Sequence, residues 1–397
     1  RHDGSSAGTR MLTTVAPVRL HPVLAYLDHA ASGPLHPVAA SAMRPWLEGR
    51  FGNPSGSHRV ARAARAAVDD ARDALAAFAG VEPGGVTFTS GGTEADNLAV
   101  LGVLAARPGP AVVSAVEHPA VMEAAIASGH EVRVAPVCAD GTADLDGLAS
   151  LLDRDVSLVS VQLANHETGV VQPFAAVERL VRRRAPRAVL HTDAVQAAAW
   201  LDLGEEAADA DLVTVSGHKM GGPQGVGALL ARGRPALRSV LHGGGQEREL
   251  RSGTQNVAGI VGLGAAVAAV GLERHATRER VQELRDELAR LLRRAVPDCV
   301  ETAAGARRVP GHLHLRFAGV ESESLLVLLD EAGVCASAGA ACASGAMEPS
   351  PVLLAMGVPK PEALSSLRLT LGPSTSRAEI TLAAEAVPAA VAGIRSS

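Results

Sequence analysis

From residue 86 to residue 230 the chain alternates short apolar, β-branched runs with helically spaced segments, and this alternation restricts the fold more than any other feature. The runs fall at 86–89, 111–116, 132–134, 156–162, 188–191, 212–216 and 226–230. Helical periodicity occupies 94–105, 119–128, 145–152 and 174–184, between several of them. Strands joined through helices, and apolar on both faces, build a mostly parallel sheet covered by helices on both sides. An Ala-rich segment over 56–80, ending at glycine, predicts a further helix ahead of the alternation. The fold class is therefore α/β.

The pattern changes after about residue 272. Residues 274–294 read as one long, charged amphipathic helix, followed by scattered strands at 312–317, near 334 and at 367–371. This predicts a second, smaller α+β domain, as expected for a 397-residue chain too long for one small core. The expected organisation is an N-terminal segment, 1–34, packing with the small domain; a large domain, 35–272; and a small domain, 273–397. Residues 257–272 form the longest uncharged apolar run, sixteen residues with four glycines, which reads as a buried helix rather than a membrane span. Residues 1–10 are polar and are set aside. Residues 11–26 carry Arg19, His21 and two prolines and make a poor signal peptide, so a cytoplasmic location without membrane contact is expected.

Net charge is −5 with no basic block, so nucleic acid is not an expected direct ligand. The four cysteines, Cys138, Cys299, Cys335 and Cys342, include no C-x-x-C pair and fit no common zinc spacing. Reduced thiols and no metal site are the expectation. Of 37 Lys plus Arg residues only Lys219 and Lys360 are lysines. A chain that otherwise carries positive charge on Arg keeps an amine at Lys219, in a Gly-rich neighbourhood, and a guanidinium cannot replace an amine as nucleophile.

In open α/β sheets ligands bind beyond the carboxyl ends of the strands. The first such end carries Ser90-Gly91-Gly92-Thr93-Glu94, where backbone N–H groups and a hydroxyl open a helix and suit an anion. A plain helix start capped by Thr93 would look the same. The second carries Glu117-His118-Pro119, and His118 could be structural or functional. After 188–191 comes Thr192-Asp193-Ala194-Val195-Gln196; a buried Asp193 needs a partner, which a cationic ring nitrogen or a helix N-terminus would supply. After 212–216 comes Gly217-His218-Lys219-Met220-Gly221-Gly222-Pro223, where desolvation would lower the Lys219 pKa, unless Lys219 is a solvated loop lysine. Together these strand ends hold the inventory of a pyridoxal-phosphate (PLP) site.

The motifs extend this into a specific likeness. Phe51-Gly52-Asn53-Pro54-Ser55, Thr89-Ser90-Gly91-Gly92-Thr93-Glu94 and Ser216-Gly217-His218-Lys219 occur in order. They are followed by His242-Gly243-Gly244-Gly245-Gln246-Glu247, Arg251-Ser252-Gly253-Thr254, and Ala341-Cys342 ahead of Met347-Glu348-Pro349-Ser350. The chain resembles the cysteine desulfurase family of the fold-type I, class V aminotransferase-like PLP enzymes, over nearly its whole length.

The resemblance implies the following roles. Lys219 joins the cofactor covalently, Asp193 pairs with its ring nitrogen, Gln196 bonds the ring hydroxyl and His118 stacks on the ring. Gly92, Thr93, Ser216 and His218 hold the phosphate, with Thr254 reaching it from the partner subunit of a homodimer. Asn53 and Arg368 grip the carboxylate of the substrate, L-cysteine. Cys342, in a Gly/Ala/Ser-rich run, takes the sulfur as a persulfide and delivers it to an acceptor protein; Cys335 reads as the packing cysteine. The run up to Pro349 is long enough for the subgroup with a mobile cysteine loop.

The sequence departs from the family pattern at Ala164-Asn165-His166-Glu167, so a cofactor contact usually made by asparagine falls to His166 or Asn165. It departs again at Asp28-His29-Ala30-Ala31-Ser32-Gly33-Pro34. The alternatives weighed beside the desulfurase are another class V PLP enzyme, a selenocysteine lyase or aminotransferase, and a catalytically silent scaffold.

Overall fold

The computed structural model describes residues 24–338, 342–343 and 346–396. Its centre is a seven-stranded sheet in the order Val86–Thr89, Gly227–Ala231, Leu212–Ser216, Val189–Asp193, Leu158–Ser160, Ala111–Ser114, Val132–Ala135. The last five run parallel; Gly227–Ala231 is antiparallel to both its neighbours. Every residue of Val189–Asp193 and Leu212–Ser216 is buried, as strands covered on both faces require. Each of the seven apolar runs became a strand. The run at 156–162 keeps only three residues in the ladder, Leu158–Ser160, and the strand from 188 reaches Asp193. Gly227 has a physical reason: a Cβ there would lie 2.7 Å from the Gly91 carbonyl carbon and 2.8 Å from the Val215 oxygen. The turn at Gly91 can therefore sit directly on the sheet.

Helices cover the sheet. Arg59–Ala79 spans the Ala-rich segment and ends at Gly80, whose φ of +64° is left-handed and natural for glycine. Residues 257–272 and 274–294, read from composition as two separate elements, form one helix of 39 residues, Val257–Ala295. A change from apolar to charged residues alters which face is covered, not whether the backbone hydrogen bonds continue. The first part buries Ile260, Leu263 and Val267 and packs on the helices Pro37–Glu48 and Arg59–Ala79. The later part buries Val281, Leu284, Leu288 and Leu292 and packs with the helix Arg377–Ser396. The boundary expected between residues 272 and 273 thus falls inside a continuous helix.

A three-stranded antiparallel sheet, ordered Ser366–Thr370, His312–Arg316, Val300–Glu301, forms the second layer. The strand Ala25–Tyr26 pairs in parallel with Val334–Cys335, and Asp28 bridges to Thr370. From there the chain crosses to the large sheet: the Gly33 N–H donates to the His218 carbonyl at 3.1 Å, and the His36 N–H to that of Gly221 at 2.8 Å. Residues 25–36 therefore tie the small sheet to the turn that carries Lys219.

Candidate active site

A cavity of about 360 Å³ opens where the parallel strands end. Asp193 closes its strand, Ser216 closes the next, and the short turn Gly217–Lys219 follows. His118 enters from the turn after Ala111–Ser114, Gln162 and His166 from the chain beyond Leu158–Ser160, and Arg368 from the small sheet. Side chains distant in sequence converge because the strand ends lie side by side.

Lys219 lines this cavity, with its ammonium donating to the carbonyl of Ala31 at 2.7 Å and to that of Ala30. Burial, followed by the nearby Arg368 guanidinium, brings its pKa down to about 8, against the opposing pull of Asp28 and Asp193. It is not a solvated loop lysine. A more apolar cavity of about 290 Å³ adjoins, sharing Ala30, Gln196 and Lys219.

Asp193 is 7% exposed, and its Oδ1 accepts the Val195 N–H at 2.8 Å. Burial raises its pKa, while that N–H, His118 and Lys219 lower it. Gln196 donates to the Ala30 carbonyl at 2.8 Å. His118 caps the helix Pro119–Ala127: its Nδ1 accepts the Ala120 N–H at 3.1 Å, and Nε2 has no hydrogen-bond partner among the described residues. Burial lowers the His118 pKa. The His166 ring meets that of His118 edge-on, with centroids 5.2 Å apart, and burial holds His166 well below the usual imidazole range.

The turn at 165–168 directs Asn165 and His166 differently. Asn165 spends its carboxamide locally, accepting from the N–H groups of Glu167 and Thr168 and donating to the Val116 carbonyl, and it does not line the cavity. His166 does.

At the other end of the cavity the helix Gly92–Ala106 begins, capped by Gly91 without a side-chain bond, so Thr93 is the second helical residue and not the cap. Its exposed hydroxyl lines the space together with Ser216 and His218. A Cβ on Gly92 would lie 2.9 Å from Val195 Cγ2 and 3.5 Å from Ser216 Cβ, so glycine keeps this corner open. His218 Nδ1 lies 3.3 Å from the Ser32 hydroxyl, and burial lowers its pKa to about 4, leaving the ring neutral.

Arg368, 6% exposed, donates to Asp28 at 2.8 Å and to the His166 carbonyl at 3.0 Å. Its backbone pairs with Ser337, bringing the chain that leads toward Cys342 alongside the cavity wall. Two expected residues stand apart. Asn53 is exposed, with its carboxamide accepting the Ser55 N–H at 3.0 Å, and does not line the cavity beside Arg368. Thr254 is exposed and does not line the cavity of its own chain. The backbone of Cys342–Ala343 pairs antiparallel with Ala346–Met347, but the Cys342 side chain lies outside what the structure describes, as do residues 339–341 and 344–345. Cys335 is half-buried on its strand; of the cysteines whose side chains are described, Cys299 is the buried one.

Two carboxyls went unread in the sequence. Asp96, three residues beyond Thr93, turns inward from the first helical turn and lines the cavity. Glu117, beside His118, is buried behind it, with Oε1 accepting the Gln162 N–H at 2.7 Å. Helical spacing and the immediate neighbourhood of His118 were the signals available.

The chain matches the aminotransferase class-V family over residues 25–382. It is 41% identical over 387 residues to the IscS-like cysteine desulfurase of Mycobacterium tuberculosis, covering 94% of this chain and 97% of that protein. Among solved structures it is similar to a NifS-like protein, with a TM-score of 0.87 and 29% identity over 94% of this chain and all (100%) of that one. It is also similar to SspA in complex with cysteine, with a TM-score of 0.76 and 28% identity over 88% of this chain and 99% of the other.

Proposed function

The chain belongs to the aminotransferase class-V family, and on that premise we propose that it is a PLP-dependent cysteine desulfurase, converting L-cysteine to L-alanine and passing the sulfur through Cys342 to an acceptor protein. The observation that carries this reading is Lys219 and Asp193 in one cavity whose far corner is kept open by Gly92.

The residues present suit the cofactor. A buried carboxylate at Asp193, with one oxygen engaged by the Val195 N–H, matches a cationic ring nitrogen. The N–H groups at the start of Gly92–Ala106, the hydroxyls of Thr93 and Ser216, and the neutral His218 ring are donors suited to a phosphate. Gln196 and His166 border the space left for the ring and its hydroxyl, and His118 offers a ring face. When bound, PLP supplies an aldehyde for amines and a ring that withdraws electrons from the substrate Cα.

The chain's own residues do the rest. A Lys219 amine with a pKa near 8 is partly neutral at working pH, as a nucleophile and base must be, and its Nζ is the atom that takes and returns the Cα proton. His118 holds Nε2 free to move a second proton, because Nδ1 is committed to the helix cap. Arg368, fixed by Asp28 and the His166 carbonyl, keeps donors for the substrate carboxylate. The Cys342 thiolate attacks the substrate Sγ; an S–S bond forms, the Cβ–S bond breaks with its electron pair returning to the substrate carbon, and a proton there completes alanine. The persulfide then passes its outer sulfur to the acceptor. In a homodimer, Thr254 would serve the partner subunit's phosphate site, in keeping with its exposure here.

Visible absorbance of the purified protein, lost in Lys219→Ala, tests the cofactor assignment. Sulfide release from L-cysteine by Cys342→Ala tests the chemistry: a desulfurase loses it and keeps the absorbance, whereas a transaminase keeps its turnover.

A further inference from the structure

Behind the cavity floor a chain of polar side chains runs through the sheet, and neither the fold nor the chemistry above uses it. Asp96 places Oδ1 3.6 Å from Nε2 of His191. On the other side of the ring, His191 Nδ1 lies 2.9 Å from Ser160 Oγ, and the Ser160 hydroxyl donates to Glu117 Oε1 at 3.4 Å. The Thr214 hydroxyl lies 3.0 Å from His191 Nε2. His191 and Asp193 are two apart on one strand and so face the same side of the sheet, which sets this chain against Asp193.

The groups facing this trio of carboxyls come from every neighbouring element. Thr214 and Lys219 come from the Leu212–Ser216 strand and the turn after it, and Ser160 and Gln162 from the Leu158–Ser160 strand and the residues beyond. Asp96 comes from the helix, and Glu117 and His118 from the turn after Ala111–Ser114. The cationic groups act selectively: His118 and Lys219 act on Asp193, whereas the charges acting on Asp96 and Glu117 are carboxylates. Asp96 Oδ1 and Glu117 Oε2 are buried without a hydrogen-bond partner among the described residues. Neighbouring carboxyls in a dry interior cannot all ionise, and the charge settles on the one with cationic groups beside it. Here that is Asp193.

We infer that Asp96 and Glu117, packed on either side of the His191 ring, are positioning residues that hold protons and thereby confine the negative charge of the cavity floor to Asp193. Its consequence for the reaction rests on the reading of Asp193 as partner of the ring nitrogen. The protonation pattern is consistent throughout. Burial pushes the Glu117 carboxyl up to about 8 and that of Asp96 well above its usual range. It brings His191 down to about 3, so the contact with Asp96 joins neutral groups and is not an ion pair. A ring protonated on Nδ1 donates to Ser160, which donates to Glu117, and leaves Nε2 as acceptor.

Infrared spectra of the cofactor-free protein at neutral pH test this without any catalytic readout. The wild type should show carbonyl absorption of protonated carboxyls, and Asp96→Asn and Glu117→Gln should each remove part of it. Loss of ionised-carboxylate absorption instead overturns the inference. Nitrogen NMR of His191 in the unsubstituted protein guards against a variant that folds poorly: a neutral ring is expected, and an imidazolium paired with ionised Asp96 contradicts it. In the PLP-loaded protein, the pH midpoint of the visible absorbance should move by less than about half a unit in Asp96→Asn, and a larger shift counts against the inference. Asp193→Asn isolates the underlying reading. If it leaves PLP affinity unchanged, the role given to Asp193 fails while the infrared result on Asp96 and Glu117 stands or falls by itself.

Discussion

The guanidinium of Arg368 donates to the Asp28 carboxylate at 2.8 Å, joining two stretches of chain 340 residues apart at the wall of the cavity. A second donation, to the His166 carbonyl at 3.0 Å, ties the same side chain to the large sheet. Arg368 has five N–H donors, and its Nε is buried without a partner among the described residues. The cation is thus held in place with capacity left for a carboxylate.

Arg368→Lys keeps the charge and loses the planar fork. The expected loss in kcat/KM for L-cysteine is about 100-fold, or roughly 3 kcal/mol, carried largely by KM. Asp28→Asn should act in the same direction and more weakly, because it frees the guanidinium to wander without removing it. Steady-state kinetics of alanine formation measure both, and an unchanged KM in Arg368→Lys contradicts the carboxylate role.

Lys219 makes a pH prediction. An amine with a pKa near 8 is about one-tenth neutral at pH 7, whereas an ordinary lysine is less than about one-thousandth neutral. PLP uptake by the cofactor-free protein, followed by absorbance, should accelerate with pH to a midpoint near 8. A rate still climbing above pH 10 would show an unperturbed lysine.

Gly92→Val fills the corner that the backbone leaves open. The first added carbon would lie 2.9 Å from Val195 Cγ2, and the rest of the side chain needs the space assigned to phosphate. PLP affinity should fall by at least about tenfold while the thermal midpoint changes little, since the residue is at a helix start rather than in the core. Titration of the cofactor-free variant by fluorescence checks it, and wild-type affinity would place the phosphate elsewhere.

Stability should peak between the ordinary carboxyl and imidazole pKa values. His191 stays neutral in the folded state down to about pH 3, while the unfolded chain takes its proton near 6.5, so stability rises with pH across that window. Glu117 acts in the opposite sense: its folded pKa is raised to about 8, so its contribution is complete below the ordinary pKa of 4.5 and is lost as pH rises toward 8. Each sets a slope of up to about 1.4 kcal/mol per pH unit within its window. Urea midpoints measured against pH should show the alkaline slope shallower in Glu117→Gln. A slope identical to that of the wild type contradicts the buried, protonated state.

Much of this was legible because strand periodicity and strand ends are local properties. All seven runs of the large sheet, and the residues Asp193, Ser216 and Lys219 just at their ends, could be found without knowing which strand lies beside which. The order of strands, with Gly227–Ala231 antiparallel between Val86–Thr89 and Leu212–Ser216, was not legible, because pairing is decided by distant segments. The long helix Val257–Ala295 was divided in reading because composition reports which face is covered and not backbone continuity. His166 and Asn165 looked equivalent in sequence, and only the turn geometry, which consumes the Asn165 carboxamide, separates them. Asp96 and Glu117 escaped notice because a carboxylate on a helix or beside a histidine is ordinary until its surroundings show no cation.

The most direct test is a single turnover: PLP-loaded protein is mixed with L-cysteine, the thiols are alkylated at once, and the peptides are mapped by mass spectrometry alongside the alanine formed. One additional sulfur atom on the Cys342 peptide, in step with alanine and missing when Lys219 is replaced by alanine, is the predicted result. Alanine or pyruvate formed at full rate with no sulfur on Cys342 would contradict the account.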